Sequence, residues 1–208
     1  AAAAPATAVA VNMHLVWTGV AKVLADRGID TLRFVQEGAV AGEVYAFGIS
    51  EAGNDLVLFG SDTAAVPTGD GGYAFTGTKI FTSLGPVWTR LGLHGLDTTD
   101  PDHPKLVYAF VDRDDAVVTR DDWDTLGMRG TMSEAFELDA EIPEELVFPE
   151  DFATLSALTM LPASHTLWAS AWYGMAAAAG DTARRTAQKA ARRTPGTPPP
   201  PRHGRTRR

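Results

Sequence analysis

Tyr45 to Gly85 reads YAFGISEAGNDLVLFGSDTAAVPTGDGGYAFTGTKIFTSLG. A short apolar strand, Ala46 to Ser50, runs into a tight polar loop, Glu51 to Asp55, with Gly53 inside it. Further on, a glycine turn (GDGG) leads into the alternating run YAFTGTK and an apolar exit, IFTS. Apolar and polar residues alternating between Gly, Pro and Asp signals predict strands with one face on a core. Outward from this stretch the pattern repeats. Strands are predicted at Val44–Ser50, Leu56–Phe59, Thr63–Val66, Tyr73–Thr76, Lys79–Ser83, Trp88–Leu93, Leu106–Val111, Val117–Arg120 and Ser133–Ala140. Many short strands without intervening helices predict an antiparallel barrel or sandwich. The polar segment Asp97–Pro104, with two prolines, reads as a surface excursion.

The flanks are helical. From Ala8 to Asp26, Val9, Met13, Val16, Val20, Val23 and Leu24 recur at helical spacing, and Gly28 signals the end. A second short helix, Thr31 to Glu37, is expected to stop at Gly38. Helix returns after Pro149: Ala153 to Ala179 carries Leu155, Leu158, Leu161, Trp168, Trp172 and Met175, with a break expected around Pro162. The fold class is therefore α+β, an antiparallel β-barrel flanked by N- and C-terminal α-helical segments. Its divisions are 1–43 (helical), 44–149 (barrel), 150–183 (helical) and 184–208, a basic Pro/Arg-rich tail expected to be disordered.

With 208 residues, one domain with appendages is expected. There is no cysteine, which excludes disulfides, thiolate metal sites and cysteine nucleophiles and suits a cytoplasmic setting. The five histidines show no ligand spacing, so a metal site is not expected. Net charge is −8, yet nine of the 18 basic residues fall from Arg184 onward, where no acid occurs. An acidic body with a basic end marks a boundary near Gly180. The apolar N-terminal stretch carries Asn12, His14 and Lys22, lacks a basic leader, and is too interrupted for a membrane span. The missing initial Met suggests that the chain starts inside a longer product or that the start is lost.

Taken alone, the residues name no reaction. Gly53 and GDGG are turn residues. Ser50, Thr82 and Ser83 read as strand hydroxyls, Phe81 as a core aromatic unless something planar lies beside it, and Glu51 with Asp55 as a solvated loop pair. GxSxG, Walker, GxGxxG and HExxH motifs are absent.

Three ordered motifs nevertheless resemble the acyl-CoA dehydrogenase family. Phe47-Gly48-Ile49-Ser50-Glu51-Ala52-Gly53-Asn54-Asp55 looks like that family's hydrophobic-Thr-Glu-Pro loop, followed by glycine and Ser-Asp. Gly72-Tyr73-Ala74-Phe75-Thr76-Gly77-Thr78-Lys79-Ile80-Phe81-Thr82-Ser83-Leu84-Gly85 is similar to Gly-Tyr-x-hydrophobic-x-Gly-x-Lys-x-Trp-Ile-Thr-Asn-Gly. Leu126-Gly127-Met128-Arg129-Gly130-Thr131, with Pro143 to Val147 beyond it, resembles the third motif.

The resemblance implies FAD as cofactor, an acyl-CoA oxidised to the trans-2-enoyl-CoA, an electron-transfer flavoprotein as acceptor, and a homo-oligomeric full-length form. It places Phe81, Thr82 and Ser83 against the flavin ring, with the Ser83 hydroxyl bonding near the hydride-accepting nitrogen. Ser50, with Ile49 and the Phe47–Gly48 backbone, is placed at the ring's pyrimidine end. Asn54 stands where a family serine touches acyl-CoA, and its amide is expected to donate there. His165 replaces an arginine expected near CoA. The family's glutamate base belongs to a C-terminal region beyond the point where this chain turns Arg/Pro-rich, so no catalytic residue is assigned. Neither Glu134 nor Glu150 is given that role, and this chain alone is expected to be inactive.

Two alternatives accompany this reading. One is a flavin-dependent monooxygenase or oxidase on the same scaffold. The other is a non-catalytic truncated paralogue acting by association, its basic tail meeting a polyanion. Nine cations without interleaved aromatics provide only salt-sensitive attraction, so no specific nucleic acid is expected.

Overall fold

A computed structural model describes residues 4–56, 59–120, 122–149 and 156–193. Eight strands form one sheet curled into a half-barrel: β1 (Tyr45–Gly48), β2 (Ala64–Pro67), β3 (Tyr73–Thr82), β4 (Arg90–Asp97), β5 (Lys105–Asp112), β6 (Ala116–Arg120), β7 (Glu134–Ile142) and β8 (Val147–Phe148). The order is β6-β7-β3-β2-β4-β5-β8, with β1 also on β4. The sheet is mixed, not purely antiparallel. β1 lies parallel to the first half of β4 (Tyr45↔Arg90 to Gly48↔Leu93) and β2 parallel to its far end (Ala64↔Leu96). β1 and β2 thus take successive stretches of the same edge of β4, and β2 also pairs with β3.

Sequence-based expectations and structure differ in instructive ways. The two strands predicted at Tyr73–Thr76 and Lys79–Ser83 are one, because Gly77 continues the ladder opposite Leu138. A Cβ at Gly77 would overlap Thr63, so the glycine there serves close approach, not a turn. The strand predicted over Leu56–Phe59 lies partly outside the described residues, and Leu56 itself is in a turn. β8 went unpredicted, since two residues carry no readable period.

β5 shows why the strands pack on two sides. Val107, Ala109 and Val111 enter the barrel-side cluster with Phe75, Leu91, Leu93 and Phe136, while Tyr108 and Phe110 enter the other, against the helices. Period-two alternation with both faces apolar is a strand buried on both sides. β7 instead buries Phe136, Leu138 and Ala140 and exposes Glu137, Asp139 and Glu141, the pattern of a strand with one wet face.

Helix α1 (Pro5–Ala25) starts with proline in its first turn, where the missing N–H goes unused, and buries Met13, Val16, Trp17, Val20 and Leu24. By length and composition it could cross a membrane; in this fold its apolar face is spent on the sheet. Trp17 is fully buried, donates to the Ala46 carbonyl at 2.9 Å, and stands edge-on to Phe110 at 4.8 Å. A Cβ at Gly92 would run into its indole.

Helix α2 (Arg33–Ala41) does not stop at Gly38 as expected. It runs through that residue, where a side chain would overlap Glu43 and Tyr45, and ends at Gly42 with φ 98°, the left-handed cap. Helix α3 (Leu161–Arg193) follows a π-helical turn, Ser156–Met160. Pro162 therefore does not break a helix; it sits in the first turn of one. The start of α3 packs on α1, where Gly19 faces Ala163, and its last buried residue is Ala171. The helix continues past residue 183 to Arg193, and the rest of the basic tail lies outside the described residues.

Candidate functional site

Among the described residues only three non-glycine residues have positive φ: Phe81 (56°), Leu84 (69°) and Met132 (47°). All three lie in one corner, where β3 leaves the sheet beside the turn entering β7. Leu84 and Gly85 N–H donate to the carbonyls of Thr131 and Met132, each at 2.9 Å, tying the two strained turns together. The β3–β7 register slips between Lys79 and Thr82. Such a bulge re-aims a side chain, and left-handed residues without glycine's freedom cost free energy that concentrates at functional sites.

The side chain re-aimed is Phe81. It is 58% exposed and stands edge-on to Trp123, ring centroids 5.9 Å apart. The two rings border a cavity of about 340 Å³ whose wall includes Ala52, Ile80, Thr125 and Ser133. Thr125 Oγ1 is buried without a hydrogen-bond partner. Asp122 and Asp124 lie at the same cavity, Asp124 paired with Arg129 at 2.6 Å. Aromatic edges, small apolar groups and two hydroxyls suit a flat, largely apolar ring with polar atoms at its rim.

The structure sorts the expected site residues into three groups. Phe81 reaches the cavity. Thr82 points the other way, fully buried with Oγ1 unpartnered. Ser83 is buried and bonded to Ser133 Oγ at 2.8 Å, so the hydroxyl lining the cavity is that of Ser133. Ser50 is drawn to this end of β3, its carbonyl accepting from Ile80 N–H at 2.9 Å. The side chains just before it go elsewhere: Phe47 packs on Trp17 at 5.2 Å, Ile49 joins the helical core, and Gly48 is pressed against Leu91.

Asn54 corrects an expectation. Its amide nitrogen already donates to Glu51 Oε2 (2.7 Å) and the Gly60 carbonyl (3.0 Å), and its oxygen accepts from Leu56 N–H (2.9 Å). Both amide hydrogens are used, leaving no donor for a ligand. His165 sits in the first turns of α3 with Nδ1 2.8 Å from the Leu161 carbonyl.

Glu51 is the larger surprise. It is not paired with Asp55 in solvent; its side chain is 2% exposed and meets Lys79, 0% exposed, at 2.6 Å. Ser61 and Thr63 hydroxyls also donate to Oε1, each at 2.6 Å, with the Thr63 N–H at 3.0 Å, and the Asp62 N–H reaches Oε2 at 2.8 Å. Lys79 Nζ lies 3.2 Å from His94 Nδ1. Burial pushes the Glu51 carboxyl upward, but the donors, led by Lys79, hold it well below the usual carboxylate range. Burial lowers the Lys79 ammonium to about 8 against the pull of Glu51. At neutral pH the pair is ionised, and it clamps the loop between β1 and β2 onto β3.

One signal could have revealed it: Lys79 shares the strand face of Tyr73, Phe75 and Gly77, so the alternation puts its ammonium inward, where it needs a carboxylate. The pair also sets a pH limit. Unfolded, the carboxyl titrates near 4.5, so below that value the unfolded chain binds the extra proton. The contribution is complete above about 4.5 and lost as pH falls towards the lower folded value. Between about pH 5 and pH 2, Tm of Glu51→Gln should therefore fall less steeply than that of the wild type.

No family model matches the chain, and no curated protein matches it. Solved structures do. The KijD3 complex with FMN and dTDP-3-amino-2,3,6-trideoxy-4-keto-3-methyl-D-glucose aligns over 95% of this chain and 48% of that one, at 26% identity and TM-score 0.72. A dibenzothiophene monooxygenase, TdsC from Paenibacillus sp. A11-2, aligns over 90% of this chain and 47% of its own, at 20% identity and TM-score 0.66. A probable acyl-CoA dehydrogenase from Mycobacterium abscessus aligns over 87% and 48%, at 20% identity and TM-score 0.63. The resemblance to the acyl-CoA dehydrogenase family is therefore shown at the level of the fold: this chain has the acyl-CoA dehydrogenase-type architecture. It spans about half the length of the structures it matches.

Proposed function

We propose that this chain forms the ring-binding half of a flavin-dependent oxidoreductase. In the full-length protein, on this reading, an acyl-CoA would be oxidised to the trans-2-enoyl-CoA with FAD as cofactor and an electron-transfer flavoprotein as acceptor. A homo-oligomer in the cytoplasm suits the same reading. The observation that carries it is the strained β3–β7 corner, which turns Phe81 out of the sheet into a cavity of ring-binding character. The likeness to structures that hold FMN adds support. The flavin supplies the hydride-accepting ring when bound.

The chain's own residues orient and enclose that ring. Phe81 and Trp123 flank it, Ser133 and Thr125 offer polar contacts, and the clamped loop carrying Ser50 closes the β1 side. No residue of this chain is assigned as the base, and the expectation of inactivity in isolation stands as part of the proposal.

A second reading, an oxygen-using flavin enzyme, is favoured by the likeness to TdsC, a dibenzothiophene monooxygenase. Titration of the 208-residue chain with FMN and with FAD, followed by quenching of flavin fluorescence, tests the ring seat. Weak, saturable binding is expected, with no bleaching on adding acyl-CoA. Phe81→Ala should weaken the binding about three- to tenfold. Binding unchanged by that substitution, or none by the wild type, removes the reading. Bleaching by acyl-CoA in the full-length protein selects the dehydrogenase; oxygen consumption without it selects the second reading.

A further inference from the structure

Ile80 and Phe81 stand outside the sheet ladder. The register of β3 with β7 runs to Lys79↔Phe136 and resumes at Thr82↔Glu134, so β7 does not fix these two residues, both of which wall the cavity. Beside them lies the buried ion pair. Lys79 directly precedes Ile80, and Glu51 directly precedes Ala52, a wall residue on the other segment. Along β3, neighbouring residues point to opposite faces, so the ammonium turns into the barrel and Ile80 turns to the cavity. The two segments also meet through the backbone, where Ile80 N–H donates to the Ser50 carbonyl at 2.9 Å.

The pair is anchored at both ends. The ammonium has three hydrogens and three acceptors around it: Glu51 Oε1 at 2.6 Å, His94 Nδ1 at 3.2 Å and Ser61 Oγ at 3.3 Å. An ammonium has no lone pair, so His94 Nδ1 accepts and the imidazole beside it is neutral. Asn54, Ser61, Asp62 and Thr63 donate to the carboxylate from the segment that carries it. Glu51 thus gathers its own loop, and Lys79 joins that loop to β3.

We propose that Glu51 and Lys79 are positioning residues for the cavity: their ion pair fixes Ala52 relative to Ile80 and Phe81 and thereby sets the affinity for a flavin ring. Neither side chain lines the cavity; each acts through the residue that follows it. The inference rests on the ring-seat reading and adds to it what keeps the seat in shape. A seat already held needs no ordering when the ligand arrives.

The test uses lumiflavin, the ring without its ribityl phosphate, titrated against the 208-residue chain by fluorescence quenching, with the urea midpoint of each variant measured alongside. Lys79→Met should weaken binding about five- to tenfold. Adding Glu51→Gln removes the lone buried charge, so the double variant should be more stable than Lys79→Met yet bind as weakly. It stands in if Lys79→Met does not fold. In Lys79→Met/Phe81→Ala the two losses should not multiply, because Lys79 acts by placing Phe81. Wild-type affinity in Lys79→Met and in Glu51→Gln/Lys79→Met overturns the inference while leaving the ring seat in place. Affinity that returns with stability in the latter does the same, since the pair is then structural only, and so do losses that multiply. No binding by the wild type overturns the ring-seat reading and the inference with it.

Discussion

Lys79→Met is expected to lower the unfolding free energy by about 3–5 kcal/mol, read from the urea midpoint at neutral pH. The substitution leaves the Glu51 carboxylate inside the barrel without its countercharge. Four protein donors besides Asn54 still reach that carboxylate, which places the effect towards the lower end. Against a total of about 5–15 kcal/mol for a typical domain, the loss is large. Adding Glu51→Gln to Lys79→Met should recover part of it, because a neutral amide is cheaper to bury than a lone charge. The double variant separates two meanings of the pair. A buried ion pair often contributes little net stability over apolar replacements of the same shape, while removal of one member is costly. A midpoint for Lys79→Met close to wild type shows that Glu51 has found water, and the loop is then not clamped.

Trp17→Ala should cost about 3–5 kcal/mol, the range for truncating a large buried aromatic. The indole is fully buried, touches Phe47 and Phe110, and satisfies the Ala46 carbonyl. Its loss leaves both a void and an unmet acceptor in the middle of β1. Gly92→Ala, which forces a methyl into the space the indole occupies, should cost about 1–3 kcal/mol by overpacking. The two should not add. With the indole gone, the methyl at 92 enters space already vacated, and the double variant should be no less stable than Trp17→Ala alone. Strict additivity in a double-mutant cycle shows that residues 17 and 92 are not in contact, which removes the seat assigned to α1.

The strands were legible where local pattern decides them. Tyr73 to Lys79 and Phe136 to Ile142 alternate, because each has one face on the barrel core, although the first was read as two strands parted at Gly77. The parallel pairings of β1 and β2 with β4 were not legible, because nothing in 45–67 says that two short strands share one neighbour across a loop. Gly38 read as a stop and turned out to be a close approach; without coordinates, a glycine that frees φ looks the same as one that removes a Cβ. At the candidate site, the motif around Phe81 was visible, but its orientation depends on a bulge set by β7, far along the chain. Asn54 and Glu51 were read as a ligand contact and a solvated charge. Both turned inward because Lys79, on the opposing strand, supplies the charge that Glu51 answers.

The seat of α1 has a bearing on how the chain assembles. Every surface that receives Trp17 (Ala46, Gly92, Phe110) comes later in sequence than the helix itself. An early α1 therefore carries a greasy stripe with nowhere to dock until β4 and β5 have paired. Such order-of-arrival mismatch favours slow acquisition of structure and makes self-association the competing fate of partly folded chains.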